Sequence, residues 1–430
     1  MVDEKLVPKL RFAGFTDNWE EITIKDYSTI KGRIGWRNLK QSEYTESGPY
    51  LIAGKHIHNG IINWDECDHL SVERYEESPE IALKKGDVIF SKDGSLGNPA
   101  LIKELPSEAT INGTMMLVRL NNKVSPNFFY QILNSDYFFR LLHILKSGSS
   151  IPHIFQRDME NFKFKIPNSY EEQNKISKFL ENIDKKIELL EKKHNTYVNF
   201  KKYLMQQIFA QKLRFDFTAG WKEYKLKDLL TVKSSSISIN QLEDNTGEYP
   251  LYGASGFLKN IDFCEMNRDY ISIVKDGSGV GNLSYHEKNS SIVNTSQYLL
   301  PKKDFDITFL YYLLQTLNLL KYVNGSSIPH IYFKDYCIEK VDIPSLEEQQ
   351  KIGKLLVNVD KTMENINKKI NSTQEFKKGL LQQMFISCQK LIKKKIIEGK
   401  KIEFLILQNL CVSVFFLVFL NMIFPFLHLN

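Results

Sequence analysis

No Cys-x-x-Cys pair occurs anywhere in the 430 residues, and the five cysteines, Cys67, Cys264, Cys337, Cys388 and Cys411, are scattered. That excludes a zinc ribbon and argues against a disulfide framework, so a reducing cytoplasm is the expected setting. Also missing are a GxxxxGK[ST] phosphate loop, an HExxH pair, and any obvious methyltransferase amino-acid or cofactor motif. The chain therefore carries no mark of an autonomous enzyme. Glu191-Lys192-Lys193 with Asp184 mimics the carboxylates and lysine of a nuclease. It falls on a helical stretch, where solvated charge is the plainer reading. A basic globular surface is lacking too. The formal charge is +6, yet Lys and Arg balance Asp and Glu twenty to twenty over residues 8–165 and fall fourteen to sixteen over 213–343. The excess sits in 166–212, 344–386 and 387–430, so net charge says little about a nucleic-acid partner. With Asp3, Glu4 and no early apolar run, a secretory signal is not expected at the start.

What the chain does have is a repeat, the feature to look for before any other. Gly-Ser-Ser-Ile-Pro-His-Ile stands at Gly148–Ile154 and again at Gly325–Ile331. Each copy continues through an Asp (Asp158, Asp335), an Ile-Pro (Ile166-Pro167, Ile343-Pro344) and a Glu-Glu-Gln (Glu171-Glu172-Gln173, Glu347-Glu348-Gln349). Each opens on Leu-Arg-Phe with a later Trp: Leu10-Arg11-Phe12 and Trp19, then Leu213-Arg214-Phe215 and Trp221. Between these words the copies diverge, apart from Lys92-Asp93-Gly94-Ser95 and Lys275-Asp276-Gly277-Ser278. Similar frames thus hold dissimilar fillings.

After each Glu-Glu-Gln, apolar residues recur at alternating spacings of four and three. The first seam runs through Ile176, Leu180, Ile183, Ile187, Leu190 and Leu204, and the second through Ile352, Leu356, Val359, Met363, Ile366 and Leu380. Four heptads of this pattern predict a coiled coil, and helices of about 40 residues would reach roughly 60 Å. Such rods exceed a small domain, so the two seams are expected to bury each other. Lys201 and Lys377 occupy the same seam position in both copies. They read either as stems that pack with snorkelling heads or as a device for register and orientation. Gly86–Ser91 and Tyr270–Val274 read as strands, and 127–146 and 308–323 as amphipathic helices.

These residues resemble the specificity subunits of type I restriction-modification systems. The likeness covers residues 8–386 and rests on the duplicated Leu-Arg-Phe and Trp, the Gly-Ser-Ser-Ile, the Ile-Pro with Glu-Glu-Gln, and the closing Lys-Lys-x-Leu-x-Gln-Gln-Ile/Met-Phe. The resemblance implies an α+β chain: two mixed α/β target recognition domains in pseudo-twofold arrangement, joined by two long helices in an antiparallel coiled coil. The expected boundaries are 1–166 and 213–344 for the domains, 167–212 and 345–386 for the spacer helices, and 387–430 for a tail outside the family fold. The implied partners are double-stranded DNA, two DNA methyltransferase subunits and restriction/translocase subunits. S-adenosylmethionine, ATP and Mg2+ would belong to those partners, with no cofactor, metal or catalytic residue in this chain.

Base reading calls for groove-reaching polar side chains. In the first module the candidates are Lys31, Arg33, Arg37, Asn38 and Lys40, from a run of four cations without an acid. In the second they are Lys233, Ser235, Asn240 and Gln241. The shared turn adds Lys92, Ser95, Lys275 and Ser278, which either grip phosphate or fix a hairpin; His153 and His330, lying in the frame, read as structural. A rival reading comes from the tail, where a basic run leads into the apolar stretch Phe404–Leu429, long enough to span a bilayer. It stands as either a membrane anchor on a coiled-coil interaction protein or an aberrant extension.

Overall fold

The computed structural model describes residues 7–33, 39–147, 152–242, 244–325, 328–385 and 427–429. Contacts divide the chain into two compact units, residues 1–188 with 371–430 and residues 189–370. The sequence boundaries followed helix ends; the units instead each take part of both long helices.

In the first unit a four-stranded antiparallel sheet runs in the order Ser28–Gly32, Met115–Leu120, Val88–Ser91, Gly97–Leu101. Its inner strand Val88–Ser91 is buried throughout. Alternation explains this: Val88, Phe90, Met116 and Val118 face one core, while Ile89, Met115 and Leu117 face another. A strand covered on both faces reads as an unbroken apolar run. A second sheet sets Tyr44–Ile52 parallel to Ala109–Ile111 and antiparallel to Asp68–Leu70.

The second unit has the same plan under an unlike sequence. Its four strands are Leu230–Ser234, Ser296–Pro301, Tyr270–Val274 and Leu283–His286, in equivalent order. Tyr249–Gly253 again pairs parallel with a short strand, Ser291–Ile292. The expected amphipathic helices appear as Pro126–Leu133 with Asp136–Ser147, and as Ile307–Thr316 followed by a 3-10 turn.

The long helices are Tyr170–Phe209 and Leu346–Met384. Each starts after an Ile-Pro and a serine whose Oγ accepts a backbone N–H, Ser169 from Glu172 and Ser345 from Glu348. The repeated words now have a cause. In the first unit Arg11 clamps Glu172 through Nε–Oε1 (2.7 Å) and Nη2–Oε2 (2.9 Å), both side chains are buried, and the Trp19 indole N–H points at the same carboxylate (3.4 Å). In the second unit Arg214, Glu348 and Trp221 repeat the arrangement at 3.0, 2.8 and 3.4 Å. The neighbouring glutamines tie down the globular helix: Ser125 N–H donates to Gln173 Oε1, and Asp306 N–H to Gln349 Oε1.

Seam residues of the two helices share cores as expected, and each seam also packs against a domain. Ile176, Leu180, Ile183 and Ile187 are buried in the same core as the first sheet together with Leu380, Leu381, Met384 and Phe385. Ile352, Leu356 and Val359 share the second unit's core with Leu204 and Ile208. Leu190 and Met363 are half-buried, and Ile366 is buried. Each helix thus opens as part of its own domain's core, and the other helix adds only its last turns. A stripe wider than a two-residue seam is what such double duty requires.

Within each unit the helices run antiparallel. In the first, Phe385 stacks edge-on against Trp19, which lies at Glu172, while Lys377 meets Asp184 (2.5 Å). In the second, Phe209 and Trp221 both contact Phe309 while Lys201 meets Asp360 (2.7 Å). The seam lysines are therefore cross-helix ion pairs rather than snorkelling stems. Gln131 Nε2 supports Asp184, and the equivalent Tyr312 hydroxyl donates to Asp360 (2.7 Å). Lys377→Glu is expected to lower the first unit's stability by about 1–3 kcal/mol, in the range for a charged hydrogen bond. The swap Asp184→Lys with Lys377→Asp should recover most of it in urea unfolding. A swap no better than the single change would mean that the pair does not set register.

Leu427–Leu429 lies antiparallel to Leu10–Phe12. The rest of the tail, including the basic run, lies outside the described residues. Among the described residues no helix is long and apolar enough to cross a membrane.

Candidate nucleic-acid interface

Among the described candidates, Lys31, Arg33 and Lys92 lie at one end of the first four-stranded sheet, and Lys233, Ser235 and Lys275 at the corresponding end of the second. In the first unit Ser28–Gly32 ends there, its last residue paired with Met116, and Ser91 pairs with Met115. From that end leave the segment starting at Arg33, the turn 92–96 and the loop 112–114. In the second unit Ser234 pairs with Gln297 and Val274 with Ser296, so the segment from Ser235, the turn from Lys275 and the loop 293–295 leave the corresponding end.

Two candidates do not face outward. Arg33 is buried; its Nε donates to the Ile111 carbonyl (3.3 Å) and its Nη1 to Ser78 Oγ (3.3 Å). Burial, and then the charge of Arg74, lowers the pKa of its guanidinium. Ser235 is buried as well, donating to the Ile292 carbonyl (2.6 Å) and accepting the Ile237 N–H (3.1 Å). Both hold loops to the sheet, which corrects their assignment as groove readers. Lys31 is half-buried on its strand, and Lys40 and Asn240 are exposed. Lys233 is exposed, with its ammonium 3.3 Å from the Glu265 carbonyl and 5.7 Å from the Tyr298 ring centre. Arg37, Asn38 and the Gln241 side chain lie outside the described residues.

The shared turn is built alike in both units. Lys92 N–H donates to the Thr114 carbonyl (2.8 Å) and Lys275 N–H to the Thr295 carbonyl (2.9 Å). The lysine carbonyls accept Ile154 N–H and Ile331 N–H, each at 2.9 Å. Nδ1 of His153 bonds Asp93, and Nδ1 of His330 bonds Asp276 (2.7 Å). The Pro-His-Ile end of the repeated word, Pro152–Ile154 and Pro329–Ile331, is thus the strap that closes the turn, and the histidines hold it there. For Asp276, burial acts to raise the pKa, but hydrogen bonds from Lys275 and His330 outweigh it and hold the carboxyl below its usual range. Gly94 and Gly277 adopt φ of +68° and +92°, a region open to glycine, which accounts for the third letter of the turn word. Ser95, Ser278, Thr114, Asn294 and Thr295 are exposed around it. The threonine partners were missed in the sequence, although a Thr directly before the strands Met115–Leu120 and Ser296–Pro301, Thr114 and Thr295, was there to be found.

Two copies of one α+β module, each presenting a like turn among unlike loops, define a duplicated recognition scaffold. A family model described as "Type I restriction modification DNA specificity domain" matches residues 16–197 and again 218–375. A putative type I specificity subunit of Mycoplasma genitalium is 25% identical over 397 residues, covering 88% of this chain and 97% of that protein. The type I restriction enzyme MjaVIII specificity subunit of Methanocaldococcus jannaschii is 24% identical over 217 residues, and the chain spans only 50% of its length. A crystal structure of a type I restriction-modification S subunit from M. genitalium shares the fold with a TM-score of 0.62 at 20% identity, over 89% of this chain and 99% of that one. The chain belongs to the type I restriction-modification DNA specificity family, of which it carries two domains.

Proposed function

We propose that this specificity subunit reads a bipartite, asymmetric duplex site, one half per module, and performs no chemistry itself. The observation that carries the reading is the pairing of one sheet plan and one strapped turn with two chemically different sets of surrounding loops. Half-sites that differ in sequence require different base-edge donors and acceptors on otherwise equivalent supports. The helix pair would dock two DNA methyltransferase subunits, with restriction/translocase subunits joining them. Leu189, Val198, Phe200 and Tyr203 of the first long helix are 41–58% exposed and supply apolar surface for such a partner to cover. S-adenosylmethionine, ATP and Mg2+ would be held by the partners. The membrane-anchored reading draws no support from the family assignment.

Comparing adenine methylation in cells with and without this chain tests the proposal. A bipartite motif that disappears with the gene is the expected result, and an unchanged methylome refutes it. A second prediction concerns spacing. Four residues inserted after Lys193 and after Lys369, close to one full turn in each helix, would add about 6 Å. That is near two base pairs at about 3.4 Å each. Both half-sites should persist with a longer spacer; an altered half-site would show that the helices do not set the distance.

A further inference from the structure

We infer that the turn shared by the two modules, with the loop that carries its threonine, is a sequence-independent clamp for the phosphodiester backbone of duplex DNA. The inference rests on the DNA-reading function proposed above. Two modules that read unlike half-sites can keep alike only those surface groups that touch what every duplex has in common. In the first unit these are Lys92, Ser95 and Thr114, and in the second Lys275, Ser278 and Thr295.

Folding alone accounts for part of the likeness between the two turns. The Asp–His bond and the backbone bonds to threonine explain Asp93, Asp276, the histidines and the glycines. They do not explain why the exposed serines recur, since neither Ser95 nor Ser278 bonds any described residue through its side chain. Nor do they explain the lysines, whose backbone alone makes the shared contacts. Lys92 places its ammonium beside Gly32, where a Cβ would come within 3.8 Å of Nζ, and forms no ion pair with a described residue. Lys275 instead leans on Asp276, which keeps the cation at the turn. Cation and hydroxyl donors on one rigid turn are the groups that position a protein on phosphate oxygens. The base-reading residues of each module are then the unshared ones around it, Lys40 in the first and Lys233 and Asn240 in the second.

The test uses the full chain, titrated at several salt concentrations against a duplex bearing its methylated motif and a scrambled duplex of equal length. Lys92→Gln with Lys275→Gln should weaken binding to both duplexes by the same factor. It should also lower the slope of log affinity against log salt by about 2, roughly one per phosphate contact. Ser95→Ala with Ser278→Ala should weaken both duplexes equally and leave the slope nearly unchanged, because a neutral donor releases no counterion. The methylated motif should be the same in every variant. Weakening confined to the motif duplex would make these residues base readers and overturn the clamp. So would an unchanged slope and affinity in a lysine variant that melts like the parent. A parent chain that binds no duplex would instead remove the functional reading itself, and the clamp with it.

Discussion

Glu172→Ala is expected to cost the first unit about 3–5 kcal/mol, the usual penalty for stripping a buried charge of its partner. Arg11 and Glu172 are 4% and 1% exposed, so the stranded guanidinium has no water to turn to. The loss is comparable with the whole stability of a typical domain, about 5–15 kcal/mol. Replacing both partners with apolar residues, Arg11→Met with Glu172→Leu, should cost much less, because no charge is left behind; the Trp19 N–H then loses only a long contact. Glu348→Ala should be milder than Glu172→Ala, since Arg214 is 23% exposed and water can reach it. Urea unfolding followed by tryptophan fluorescence distinguishes these cases. Equal losses in the single and double variants of the first unit would show that volume, not charge, holds the frame.

The second large effect comes from the far end of the chain. Phe385 is 4% exposed and packs on Trp19 and Phe128, in a core that the first domain and the first long helix share with Leu380, Leu381 and Met384. Phe385→Ala should therefore cost about 3–5 kcal/mol, as for other buried aromatics, and the loss should appear in the first unit. Ending the chain after Ile370 removes Leu380, Leu381 and Met384 as well. The first unit is then expected to lose cooperative unfolding, whereas the second, which spans residues 189–370 without interruption, should keep it. Hydrogen exchange read by mass spectrometry would resolve the two units separately. Protection lost equally from both would refute this division of the chain.

Period and repetition made the frame of the molecule legible. The apolar seams predicted two helices of about the observed length, and the duplicated words marked where each copy begins and ends. Less visible was what those words do, because Arg11 and Glu172 lie 161 positions apart and no local pattern links them. The seams also hid their partners: spacings of four and three look the same whether an Ile faces another helix or a sheet. For the site, the cation run Lys31–Lys40 suggested a uniform exposed loop. Arg33 turns inward because the carbonyl of Ile111 and the hydroxyl of Ser78 wait there, and side-chain direction at the end of a strand is decided by such tertiary partners. The shared turn was seen as a word, while its closure by His153 and His330 needed the fold.

That the first unit borrows residues 371–385 has a consequence for how the protein is made. A ribosome that has finished residue 188 has still to add nearly 200 more before the last piece of that core exists, about 10–40 s at ordinary rates of synthesis. The later-made unit is uninterrupted, so it can close first, and the earlier one waits with an apolar groove open. Chaperone capture of the nascent chain should then be strongest before the final helix emerges, which reverses the customary order in which the leading domain is the first to be safe.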